Sequence, residues 1–349
     1  MTEQQTEEHL KMPADPPADP QEQAPREHYR VNVTDESHGE RLDVVIAAAL
    51  TSHSRNTVRN FIVDGLVQVD GRVIRKPSYS VTSGMLLDVY APPLVPLENT
   101  PQDIPLEIVY EDEDIAVVNK PLGLIIHPGA GVAEGTLLNA LLYRYPGSAT
   151  LPRAGIVHRI DKDTTGLLVV ARSERAFLQL SDDISEHKVV REYAAIAEGV
   201  IASGGTVDCE IGRDPVSRIR MSVVPPGMGR PAVTHYRVEE RFRAHTLLRL
   251  RLETGRTHQI RVHMAHLDHP LLGDQVYGAG RRRFLGGASE ELNEALRCFR
   301  HQALHALHLE LTHPVSGQAL SFEAPLPEDF VALIKLLRAD LRAHGTKQS

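Results

Sequence analysis

The spacing of apolar residues changes character several times along the chain. Residues 1 to about 29 show no apolar periodicity; five prolines and many Glu and Gln predict a disordered tail. From Arg41 the pattern becomes helical. Leu42, Val45, Ile46, Ala49 and Leu50 fall on one face of an amphipathic helix. Ser54 is placed to cap a second helix, with Val58, Phe61 and Ile62 on one side and Arg55 and Arg59, four apart, on the other. Residues 67–73 alternate apolar and polar side chains around Asp70-Gly71, which predicts a hairpin. The proline-rich stretch from Ala91 through Pro96, Pro101 and Pro105 predicts a stiff, extended linker. Strand-like runs follow at 108–110, 115–118, 167–170, 193–196 and 247–252, the first two forming a hairpin around Glu111-Asp112-Glu113-Asp114. Helical patterns intervene at 136–143 and 174–187. Leu333, Ile334, Leu337 and Leu341 make an apolar stripe after Pro327-Glu328-Asp329, a well-signalled closing helix. Strands in irregular order with few helices predict an α+β domain on a mixed sheet rather than a doubly wound one.

Composition adds limits. A chain of 349 residues with 42% hydrophobic and 24% charged content has the makings of two or three soluble domains. Its longest apolar run, 44–50, is far too short for a membrane span, and the acidic N-terminus has no signal-like apolar segment. Cys209 and Cys298 are the only cysteines, which excludes a disulfide framework and a cysteine zinc site and predicts a reducing, cytoplasmic setting. The net charge of −8 argues against an RNA partner only superficially. Residues 1–28 carry seven acids against Lys11 and Arg26, so the remaining 321 residues are nearly neutral at −3 and can present a local basic cleft.

One polar segment stands apart. His158-Arg159-Ile160-Asp161-Lys162-Asp163-Thr164-Thr165-Gly166 runs directly into the apolar strand Leu167-Leu168-Val169-Val170-Ala171. Cations on either side favour the charged form of Asp161, and a turn gripped by a strand can hold side chains at a cleft without moving. Asp before Thr-Thr-Gly is also how an ordinary turn is written, so this segment alone leaves both readings open.

Residues 158–171 resemble the signature of the pseudouridine synthases that modify ribosomal RNA. Residues 105–128 (PLEIVYEDEDIAVVNKPLGLIIHP), 191–199 (REYAAIAEG) and 252–274 (LETGRTHQIRVHMAHLDHPLLGD) resemble the same family in the same order. Ile160 and Thr165 stand where the family pattern has Leu and Ser. The helix–helix–hairpin module resembles the S4 RNA-binding domain. The likeness covers the chain from Arg41 to the closing helix. It implies four parts: a tail at 1–29, a small S4-like α/β domain at 30–91, a linker at 92–104, and a catalytic domain at 105–343. The last would be a mixed, mostly antiparallel sheet with a central cleft.

The same resemblance implies the reaction. Uracil N1 parts from ribose C1′, the base turns, and C5 takes the place of N1. This isomerisation needs no cofactor but does need a nucleophile, a part a carboxylate can play. Asp161 matches the family nucleophile, and Asp163 is its only close rival. Arg261 matches the arginine paired with that Asp, which a water-poor pocket requires; Arg256 is near enough in sequence to keep the choice open, and either could instead hold phosphate. Tyr193 matches the tyrosine that stacks on the flipped base, although a strand Tyr is otherwise an ordinary core residue. Arg159 matches the arginine that braces the gap left by the flipped base, and His158 is expected to hydrogen-bond within its loop. Arg55, Arg59, Arg72, Arg75 and Lys76 are the expected phosphate contacts of the S4-like module. The implied partner is large-subunit ribosomal RNA, at uridines in a stem-loop, acted on by a monomer with no membrane association.

His258, His263, His266 and His269 have the density of a zinc site. Arg256 and Arg261 are interleaved with them and no acid precedes Asp268, so no metal is expected. Arg281-Arg282-Arg283 among glycines reads as a mobile basic loop. Three other functions compete with this one. A glycoside hydrolase needs two carboxylates in opposed roles, which Asp161 and Asp163 fit poorly. A non-enzymatic assembly factor would not need Asp161, Tyr193 and Arg261 together. The same chemistry on a different RNA stays open, because motif residues report the reaction better than the substrate.

Overall fold

A computed structural model describes residues 27–50, 55–91, 99–129, 132–217, 220–278 and 284–345. The chain divides into two compact units, Met1–Glu98 and Asn99–Ser349. Most of the expected tail, the Ser54 cap, most of the proline linker and the 281–283 loop lie outside the described residues.

In the first unit, β1 (Glu27–Asn32), α1 (Leu42–Ala49), α2 (Arg55–Val63), β2 (Val67–Val69), β3 (Arg72–Val73) and β4 (Leu86–Ala91) follow in order. The four strands form an antiparallel sheet in the order β1-β4-β2-β3. Leu42 and Ile46 of α1 and Val58 and Ile62 of α2 are buried against Val67, Leu87 and Val89 of the sheet. The β2–β3 turn places Asp70 at φ 48° and Gly71 at φ 75°, the paired left-handed residues of the tightest hairpin loops. Strand β1 begins at Glu27, three positions inside the stretch expected to be tail. As an outer strand with partly exposed residues it shows only faint alternation, and it is held by pairing with β4.

The second unit contains β5 (Glu107–Glu111), β6 (Ile115–Lys120), α3 (Leu137–Arg144), β7 (Thr165–Ala171), α4 (Glu174–Ser185), β8 (Val190–Glu198), β9 (Gly205–Asp208), β10 (Ile211–Arg213), β11 (Met221–Val223), β12 (Val233–Arg241), β13 (His245–Leu252), α5 (Gln259–His266), α6 (Glu290–Cys298), β14 (Leu304–Thr312), β15 (Ala319–Glu323) and α7 (Glu328–Gly345). The main sheet runs β5-β6-β7-β14-β8-β13-β12-β9, with β15 also on β14, while β10 and β11 pair separately. Among the described strands only β7 and β14 pair in parallel; the fold is α+β on a mixed, mostly antiparallel sheet.

Both faces of this sheet are covered. On one, Tyr193, Ala195 and Ala197 of β8 join Leu248 and Leu250 of β13, Leu168 and Val170 of β7, and the apolar sides of α3 and α5. On the other, Ala194, Ile196 and Leu247 pack against α6 and α7, and Val117, Leu167 and Val169 against Ala176 and Leu180 of α4. Strands covered on two faces lose their alternation, which explains the unbroken apolar run from Leu167 to Ala171. Each fully buried Leu or Val side chain contributes about 1.5–3 kcal/mol. No helix among the described residues is long and apolar enough to cross a membrane.

Candidate active site

The Asp161 turn is fastened from below by the strand it enters. Gly166 has φ 107°, and a Cβ there would stand 2.2 Å from the Ala306 carbonyl oxygen, so only glycine lets β7 lie this close to β14. Gln302 Nε2 donates to Thr164 Oγ1 at 3.1 Å, and Thr165 Oγ1 bonds His305 Nδ1 at 2.8 Å. From above, the ammonium of Lys120 donates to the carbonyls of Pro121 (2.7 Å), Leu124 (3.0 Å) and Lys162 (2.8 Å). That side chain is fully buried. Burial brings its pKa down to about 8, with the charges of Asp163 and Asp161 working the other way. A loop held at both ends keeps its carboxylate in one place.

Facing it, α5 carries Arg261. Its Nη1 donates to Asp161 Oδ2 at 3.0 Å. Its other edge donates to Asp274, Nε to Oδ2 at 2.6 Å and Nη2 to Oδ1 at 2.9 Å. Asp274 is wholly buried, and Oδ1 also accepts the Val276 and Tyr277 N–H groups. Burial works against the charge on Arg261, but hydrogen bonds and attraction from Asp274 and Asp161 outweigh it and raise the pKa. Burial likewise opposes the charge on Asp274, and the Arg261 contacts lower its pKa on balance. The guanidinium lies 5.0 Å from the Tyr277 ring centre, whose hydroxyl bonds His258 Nδ1 at 2.9 Å. Gln259, at the start of α5, donates to Val233 O and Thr234 Oγ1 and so ties the helix to β12.

Tyr193 sits on β8 between Leu250 of β13 and Ala306 of β14. It is buried, which raises its hydroxyl pKa. Asp161, Tyr193, Arg261, Arg159 and Arg256 all line one cleft, with Ile160, Leu252 and Leu304 as apolar wall; its empty volume is about 410 Å³. Arg256 donates to the Pro231 carbonyl rather than to Asp161. His158 is set behind the cleft, where its Nε2 accepts the Val169 N–H at 3.0 Å. The proton therefore belongs on Nδ1, and burial together with Arg191 holds the ring neutral, with a pKa of about 3.

The other expected contacts are distributed differently. In the first unit, Arg59, Arg72, Arg75 and Lys76 are exposed, and Arg75 also donates to the Val63 carbonyl. Arg55 is engaged through Nε and Nη2 by the buried Asp43, a partner the sequence pattern did not reveal. Three of the four clustered histidines have partners of their own: His258 has Tyr277, His263 has Thr234 Oγ1, and His269 has the Glu198 carbonyl. The sequence reading assigned no role to Lys120, Asp274, Gln302 or His305. Lys120 and Asp274 fall inside the segments that carry the family likeness; Gln302 and His305 offer no sequence signal.

Residues 114–266 match the model of the RNA pseudouridylate synthase family, and residues 40–87 match that of the S4 domain. The ribosomal large subunit pseudouridine synthase D of Pasteurella multocida (strain Pm70) is 52% identical over 306 residues, 88% of this chain and 94% of that protein. The protein of the same name from Escherichia coli (strain K12) is 51% identical over 321 residues, 92% of this chain and 98% of its own length. The solved structure of human RNA Pseudouridylate Synthase Domain Containing 4 superposes with a TM-score of 0.52 at 28% identity, covering 66% of this chain and 93% of that one. A cleft that pairs a fixed carboxylate with one arginine beside a tyrosine thus lies in a chain that belongs to the RNA pseudouridylate synthase family, with an S4 domain ahead of it.

Proposed function

We propose that the protein converts uridines in a stem-loop of large-subunit ribosomal RNA to pseudouridine, with Asp161 as nucleophile. The observation that carries the reading is the Asp161–Arg261 pair at 3.0 Å in a cleft walled by Tyr193. The uridine swings out of the RNA so that its base lies along the Tyr193 ring. Asp161 takes up C1′ as the N1 bond breaks and the electron pair leaves with uracil. The base turns, C5 displaces the carboxylate from C1′, C5 gives up its proton and N1 gains one. Atoms balance without a redox or phosphoryl partner, so no cofactor is invoked.

Arg261 keeps the carboxylate in register, and Arg159, exposed at the rim, braces the RNA where the base has left. Residues 30–91 supply backbone contacts through Arg59, Arg72, Arg75 and Lys76, 92–104 act as a linker, and 105–343 carry the chemistry. The protein acts as a cytoplasmic monomer. Relatives named ribosomal large subunit pseudouridine synthase D, matched over nearly their whole length, support the substrate.

The test is Asp161→Asn, which keeps the shape and removes the nucleophile. Pseudouridine formation, read by carbodiimide adducts and primer-extension stops because the product has the substrate's mass, should fall by about 10⁴-fold or more, while RNA affinity holds. Normal product from the variant would overturn the assignment. Mapping of pseudouridine in cells with and without the gene settles the substrate: loss confined to transfer RNA would move it while leaving the chemistry in place.

A further inference from the structure

Arg191 lies near the start of β8, two positions before Tyr193, and residues two apart on a strand share a face. It is 5% exposed. One N–H, at Nη2, donates to the Glu253 carbonyl at 3.0 Å. Its Nε has no partner, and among the described residues no carboxylate pairs with it. The contrast with its neighbours is sharp: Arg261 holds two aspartates and Lys120 three carbonyls. A buried cation left unpaired is costly unless something outside the chain completes it. Burial lowers the pKa of Arg191, and no carboxylate offsets it; only the Tyr193 hydroxyl works the other way.

A second chamber, of about 950 Å³, adjoins the catalytic cleft and shares Arg159, Arg191, Gly255 and Arg256 with it. Arg153, His127 and His187 add to its wall, and no Asp or Glu lines it. Four guanidinium groups around one acid-free space are unusual in a chain of net charge −8. Their field is felt locally: burial, then Arg153 and Arg159, push the pKa of His127 down to about 4. Gly255 matters for access, because a Cβ there would come within 3.0 Å of Arg191 Nη1.

We infer that this chamber seats a phosphodiester of the RNA strand next to the uridine in the cleft, with Arg191 as its buried anchor. The inference rests on the reaction proposed above. Unoccupied guanidinium N–H groups match phosphate oxygens in a fixed fork, and the sharing of Arg159, Arg191 and Arg256 places that phosphate beside the reacting nucleotide rather than on a remote surface.

The experiment uses the full chain and a synthetic RNA stem-loop containing the target uridine, with one phosphodiester at a time replaced by an uncharged methylphosphonate. For the wild-type protein, neutralising one linkage beside the target should weaken binding about tenfold. In Arg191→Met the same replacement should add nothing, and the slope of log affinity against log salt should fall by about one. Arg153 is exposed, so Arg153→Ala should fold and shift the salt slope in the same direction even if the buried Met variant fails to fold. Equal methylphosphonate penalties in wild type and in both variants, with unchanged salt slopes, would overturn the chamber assignment. Conversion of the same RNA is measured alongside. An RNA that is bound but never converted counts against the reaction, whereas one converted normally with additive penalties counts against the chamber alone.

Discussion

Arg261 can serve Asp161 with a single N–H because its other edge is already held by Asp274. That division of labour predicts the behaviour of Asp274→Asn. An amide can satisfy only one of the two arginine donors it faces, since its NH₂ group meets another N–H. Arg261 would then shift towards Asp161 and carry the carboxylate off line, and misplacement on the scale of 1 Å costs about 10²-fold in rate. Single-turnover conversion should slow by about that factor while RNA affinity stays near wild type. Stability should drop by about 3–5 kcal/mol, the cost of breaking a buried ion pair. An unchanged rate in a folded Asn variant would show that Asp274 does not position the pair. Asp161 was legible in the sequence through its turn and its family likeness. The choice between Arg256 and Arg261 was not, because helix α5 decides which of them faces the turn.

At the level of elements, the parallel contact of β7 with β14 is what sets the Asp161 turn against the centre of the sheet. Gly166 permits it, with Ala306 N and O lying 2.7 and 2.2 Å from where a Cβ would stand. Backbone atoms cannot swing aside as a side chain can. Gly166→Ala is expected to cost about 3 kcal/mol or more, from the clash and the positive φ together. Urea denaturation of the two proteins measures it, and a midpoint within error of wild type would mean the strands part more easily than their packing implies. Strand β14 itself escaped the sequence reading. His305 and His308 interrupt its apolar pattern, and only in the fold does His305 find Thr165 and become a buried residue. Helix α5 escaped for a similar reason: Gln259, Arg261 and His263 are buried on it beside Ile260, Val262 and Met264, so no apolar face stands out against a polar one.

For the whole molecule, six described histidines of the second unit are pushed towards the neutral form chiefly by burial: His127, His245 and His263 to pKa about 4, His158 to about 3, and His258 and His305 in the same direction. Each folded value lies below the unfolded value of about 6.5, so the unfolded chain binds more protons between those limits. Their contribution is therefore complete above pH 6.5 and is lost as pH falls towards 4. Stability should decline across that window by about 1.4 kcal/mol per pH unit for each such histidine. Thermal or urea unfolding followed from pH 7.5 to 4.5 tests this, and His158→Gln, whose amide oxygen can still accept the Val169 N–H, should remove one proton's share of the slope. A flat profile would show that these rings titrate as freely in the native state as in the unfolded one.

What the sequence determined by itself is local. The amphipathic faces of α1 and α2, the Asp-Gly hairpin, the runs that become β6, β7, β8 and β13, and the standing of Asp161, Tyr193 and the Arg256/Arg261 pair as the residues to watch all rest on short-range spacing or on contiguous motifs. Tertiary structure decided everything that depends on meeting at a distance. Asp161 and Arg261 touch across 100 residues, and Thr164 and Gln302 across 138. Burial of Lys120 on three carbonyls, the capture of Arg55 by Asp43 and the unpaired state of Arg191 follow from which side chains share an enclosed space. No local pattern encodes that, because the free energy of a buried charge depends on its surroundings and those come from remote parts of the chain.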